Sequence, residues 1–149
     1  MPRVLILGYG NPLRGDDAFG WRVAERLMEM VHDPHVEILC LQQLTPELME
    51  RLSEAEFSIF IDAAASGEPG EMIERRIGPA AASGAAFTHH ATPEALLAGA
   101  RALYGRAPEA VMISVGGADF GLGAELSPSV VAHLEEVTSA VLRLVAARV

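Results

Sequence analysis

Three short apolar runs constrain this chain more than any other feature: VLILG (4–8), FSIFID (57–62) and AVMISVG (110–116). A strand with one wet face alternates apolar and polar residues, whereas a strand buried on both faces stays apolar along its length. The runs therefore predict a mainly parallel sheet covered by helices on both sides. VEILCL (36–41) reads as a fourth strand. MIERRI (72–77) alternates, and reads as an edge strand with room for antiparallel pairing.

Helical patterns fall between these runs. Phe19, Val23, Leu27 and Met30 share one helical face, and Val130, Leu134, Val137, Val141 and Leu144 share another near the C-terminus. Arg143 and Arg148 suit the negative end of that last helix. Thr45-Pro46, Thr92-Pro93 and Ser127-Pro128 each offer a hydroxyl cap followed by proline at the first helical position. The order β-α-β-α-β-β-α-β-α predicts the α/β class. The expected architecture is a three-layer α/β/α single domain, 1–149, with a central, mainly parallel, five-stranded twisted sheet. GPAAASGAAF (78–87) reads as a mobile small-residue loop.

A formal net charge of -9 argues against nucleic-acid and anionic-membrane partners, because no basic patch is available to displace counterions. The one cysteine, Cys40, excludes a disulfide framework and a thiolate zinc site, and its apolar setting reads as a buried, inert thiol. The opening MPRVLILGYG is basic then apolar, but glycine breaks it too early for a secretory signal. No later run approaches the ~20 apolar residues of a membrane span. A cytoplasmic protein is expected.

Ligands in open parallel sheets bind beyond the carboxyl ends of the strands. That rule selects Asn11, Asp16 and Asp17 after the first run, Asp62 after the third, and Gly116, Gly117 and Asp119 after the last. His89 and His90 precede the Thr92-capped helix. GYGNPLRGDD (8–17) superficially suggests a dinucleotide loop, and Gly8 and Gly10 fit its first two glycines. Its third glycine is replaced by Leu13, Pro12 lacks an amide donor, and two carboxylates would repel a phosphate. A cation suits the set better: Asp17, Asp62 and one histidine supply O, O and N ligands for zinc, nickel or another first-row ion. Each residue also has a plainer role. Asp16 or Asp17 can cap the first helix, Asp62 can satisfy turn amides, and the His pair can lie in a solvated loop. His32, His35 and His133 read as surface residues, and neither Ser66 nor Ser114 has the setting of a serine nucleophile.

Four co-linear segments carry a more specific signal: GYGNPLRGDDAFG (8–20), IFIDA (59–63), FTHHATPEALL (87–97) and LSPSV (126–130). Together they resemble the hydrogenase maturation protease family, and QLTPEL (43–48) resembles a segment found in one branch of it. Ala18-Phe19 departs from the glycine that many members carry at the first of these positions, while Gly20 is kept. The resemblance implies an endopeptidase of the aspartyl type that removes a short C-terminal peptide from the nickel-loaded precursor of a nickel–iron hydrogenase large subunit. It implies Asp17, Asp62 and His90 as the nickel-recognition set, with Thr88 two places earlier favouring His90 over His89. The nickel would arrive with the substrate, with no organic cofactor. Asp17, Asp62 and Asp16 are the catalytic candidates, with Asp17 or Asp16 acting through a water and Asp16 supporting helix entry. The rival expectations are a nickel-dependent maturation factor without hydrolysis, and a nucleotide-binding α/β domain.

Overall fold

A computed structural model describes residues 4–64, 68–80, 91–123 and 125–148. The chain runs β1 (Val4–Tyr9), a 3₁₀ turn (Gly15–Ala18), α1 (Phe19–Met30), β2 (Val36–Leu41), α2 (Leu48–Glu54) and β3 (Phe57–Ala64). It continues with β4 (Met72–Ile77), α3 (Pro93–Tyr104), β5 (Glu109–Gly116), α4 (Pro128–Val131) and α5 (Leu134–Ala146). One five-stranded sheet has the order β2-β1-β3-β5-β4. Its first three pairings are parallel and β4 joins β5 antiparallel. The three apolar runs are the three inner strands, as their composition requires. MIERRI forms the antiparallel edge.

Each face of the sheet has its own core. Val4, Ile6, Ile59, Ile61, Ile113 and Val115 pack under α1 and α5 through Phe19, Val23, Leu27, Val137 and Val141. Leu5, Leu7, Phe60 and Met112 pack under α2 and α3 through Leu48, Leu52, Leu96 and Leu97. Alternate residues of the same strand thus serve opposite layers, which is why those strands contain almost no polar position.

Local details depart from the sequence reading in four places. Met30 does not share the buried face of Phe19, Val23 and Leu27; it is 47% exposed at the last residue of α1, where the chain leaves for β2. Thr45 does not cap α2, because the carbonyls of Thr45 and Pro46 accept the amides of Leu48 and Met49 in a preceding turn. Thr92 caps α3 as expected, accepting from the Ala95 amide at 3.1 Å. The final helical face is split, with a turn at Ala132 and His133 separating α4 from α5. Cys40 is half-buried rather than fully buried, and burial followed by the charge of Glu25 raises its thiol pKa. Residues 81–87 of the expected mobile loop lie outside the described residues. Among the described residues no helix is long and apolar enough to cross a membrane.

Candidate active site

From β1 the chain passes first to β2 on one side and later to β3 on the other. The connections leaving the carboxyl ends of β1 and β3 therefore diverge, which opens a crevice there. A cleft of about 430 Å³ occupies this place, lined by Tyr9, Gly10, Asn11, Arg14, Asp17, Gln42, Gln43, Leu44, Asp62 and Ala91. Asp17 and Asp62 therefore meet on one surface, although they lie on separate elements.

Glycines set the wall that carries Asp17. Gly10 has φ +146°, and a β-carbon there would collide with the Asp17 carbonyl oxygen. The loop can fold back onto the strand end only because that position is bare. Gly20 does the same for α1: a β-carbon would strike the carbonyl oxygens of Ile61 and Tyr9. The start of α1 thus rests directly on β1 and β3, beside the cleft.

The two cleft carboxylates are each held by one backbone amide. Asp17 Oδ2 accepts from the Asn11 amide at 2.8 Å, and Asp62 Oδ1 accepts from the Ala63 amide at 2.7 Å. Among the described residues, no other backbone amide reaches either carboxylate, and both face the cleft, with the Tyr9 hydroxyl beside Asp62. Burial pushes the Asp62 carboxyl up to about 7, the nearby Asp17 charge adds to this, and the Ala63 amide and Tyr9 hydroxyl oppose it. Such a group exchanges its proton near neutrality, where general acid–base work and metal ligation are both accessible.

Asp16 has a different setting from its neighbour. It is fully buried, and its carboxylate accepts from the amides of Ala118, Asp119 and Ser127 and from the Ser127 hydroxyl, at 2.6–2.9 Å. Burial alone would raise its pKa, but the donors of Ser127, Asp119 and Ala118 together hold it below the ordinary value. The Ser127 hydroxyl points to Asp16 and so does not cap α4, although Ser127 occupies the capping position. Asp16 ties the 3₁₀ turn to the segments that follow β5.

His89 and His90 lie outside the described residues, while Ala91, next to His90 in sequence, lines the cleft. Among the described residues no three His, Cys, Asp or Glu side chains gather as metal ligands. His32 and His35 are exposed, and His133 pairs with Glu136 at 3.0 Å, away from the cleft. Sequence reasoning did not single out Tyr9, Arg14 or Gln43 as site residues, yet they line this space. Tyr9 ends an apolar strand and so reads as core; only its register beside Asp62 exposes it.

No protein-family model and no curated protein matches the chain. Solved structures do. The chain is similar to the nickel–iron hydrogenase maturation protease HycI from Thermococcus kodakarensis KOD1, at 31% identity and TM-score 0.74, over 93% of this chain and 89% of that one. It is similar to the hydrogenase maturating endopeptidase HybD from E. coli at 28% identity and TM-score 0.74, over 95% and 91% of the two chains. A hydrogenase 2 maturation peptidase from Thaumarchaeota archaeon SCGC_AB-539-E09 matches at 28% identity and TM-score 0.71, over 97% and 98%.

Proposed function

The chain belongs to the nickel–iron hydrogenase maturation proteases, which are hydrolases of peptide bonds, and on that premise we propose that it removes a short C-terminal peptide from the nickel-loaded precursor of a hydrogenase large subunit. In this reading Asp17, Asp62 and His90 recognise nickel that the precursor itself carries. The observation that supports it best is the shared cleft: Asp17 and Asp62 line one surface, each fixed by one backbone amide, and Ala91, next to His90 in sequence, lines it too.

Two carboxylates and an imidazole form a set of hard and borderline donors suited to a first-row ion. They leave coordination positions for groups of the precursor. The cleft then holds the nickel-bearing end of the substrate so that the bond to be cut is fixed against Asp17 and Asp62. The ion supplies charge that polarises the scissile carbonyl or a water. Asp17 is the candidate to activate that water. Asp16, with its oxygens already accepting four hydrogen bonds, holds the Asp17 turn in place and takes no direct part. The cleft gives the nucleotide-binding alternative no support, because the crevice where a phosphate would sit presents two carboxylates.

The test is co-expression of large-subunit precursor with the wild-type chain and with Asp17→Asn, Asp62→Asn or His90→Ala, reading the precursor by intact mass. Wild type is expected to remove the tail and each variant to leave it, with the circular dichroism of the variants unchanged. Processing that survives two of the three substitutions would overturn the assigned site.

A further inference from the structure

Tyr9 and Asp62 face the same layer from adjacent strands. The β1–β3 register pairs Gly8 with Ile61, so Tyr9 and Asp62 come next, one residue beyond. Alternation along the strands puts both on the side of Leu7 and Phe60, beneath α2 and α3. The Tyr9 hydroxyl reaches Met112 Sδ on β5 at 3.8 Å, and β3 lies between β1 and β5. Met112 pairs with Phe60, so the ring runs from beside Asp62 toward the level of Phe60, and Tyr9 forms part of the cleft that Asp62 lines.

That hydroxyl has one proton to donate and two acceptors within reach. One is a thioether, a weak acceptor. The other is the Asp62 carboxyl, which neighbours Tyr9 across β1 and β3 and lines the same cleft. A carboxylate forms the much stronger, charge-assisted bond. The Ala63 amide fixes Asp62 Oδ1 from the backbone, which still leaves the carboxyl plane free to rock about that contact.

We infer that Tyr9 is a positioning residue for Asp62: its ring floors the cleft and its hydroxyl holds the carboxyl plane in the orientation that meets the substrate. The inference rests on the reading of Asp62 as a residue that engages the nickel-loaded precursor. It assigns a job to a side chain that an apolar strand end would otherwise need only for packing.

Two substitutions separate the hydroxyl from the ring and from the thioether. Tyr9→Phe keeps the ring and removes the donor; Met112→Leu removes the sulfur and keeps the bulk. Single-turnover cleavage of nickel-loaded precursor is measured over a range of precursor concentrations, together with the thermal midpoint of each protein. Tyr9→Phe is expected to cleave about tenfold more slowly at saturation, with half-saturation and midpoint unchanged. Met112→Leu is expected to match wild type. Cleavage by Tyr9→Phe at the wild-type rate overturns the inference, as does a rate loss that follows a fallen midpoint. A Met112→Leu protein as slow as Tyr9→Phe also overturns it, by making the thioether the partner that matters. A wild-type chain that leaves the precursor intact removes the reading of the cleft, and the inference with it.

Discussion

Asp16 hands its carboxylate oxygens to four donors from residues 118–127, while Asp17, one position on, accepts from Asn11 and faces the cleft. Adjacent acids in one 3₁₀ turn thus point apart, one inward and one outward. Asp16→Asn would turn an N–H toward a buried cluster of donors, so a stability loss of about 2–3 kcal/mol is expected in denaturant unfolding. The two unusual carboxyls also act oppositely on pH dependence. Asp62 ionises near 7 in the fold against an ordinary 3.8. Between those values the folded chain keeps a proton that the unfolded chain has released, so this group lowers stability as pH rises, by up to roughly 4 kcal/mol. The stability of Asp62→Asn minus that of wild type should therefore widen from about pH 4 to about pH 7 and then level off. Asp16, held below its ordinary value, contributes stability above the usual carboxylate range and loses it on acidification. Unfolding midpoints across that range, for wild type and both Asn variants, read the two signs separately.

Among the elements, α1 is the one whose seat shapes the site. Its second residue, Gly20, lies so close to β1 and β3 that an added β-carbon would collide with the carbonyls of Ile61 and Tyr9. Gly20→Ala should cost more than about 3 kcal/mol in unfolding experiments, since the obstruction is backbone and cannot rotate away. Gly78→Ala, where an added methyl meets nothing within 4 Å, should change stability by less than about 0.5 kcal/mol. The strands were legible in the sequence because burial on two faces leaves a composition that needs no partner to recognise. Helix starts were less so. The Thr92 hydroxyl oxygen accepts from the Ala95 amide and caps α3, whereas the Ser127 hydroxyl goes to Asp16, 111 residues away in sequence. A cap motif reads only local chemistry, and a distant carboxylate outbid it.

At the scale of the whole molecule, the sheet order brings the site together. The rule that ligands gather at strand ends selected Asp17 and Asp62, which line one cleft, and the crossing of the chain from one side of β1 to the other supplies the crevice between them. Tyr9 was invisible to the same rule, because its place on the cleft comes from strand register and not from residue type. Net charge -9 and two cleft carboxylates make this crevice a better seat for a cation than for an anion. The most direct test is the intact mass of a large-subunit precursor co-expressed with this chain in nickel-replete and nickel-depleted cells. Loss of a C-terminal peptide only when nickel is present is the predicted result; an unchanged mass in both, or equal cleavage without nickel, would contradict the account.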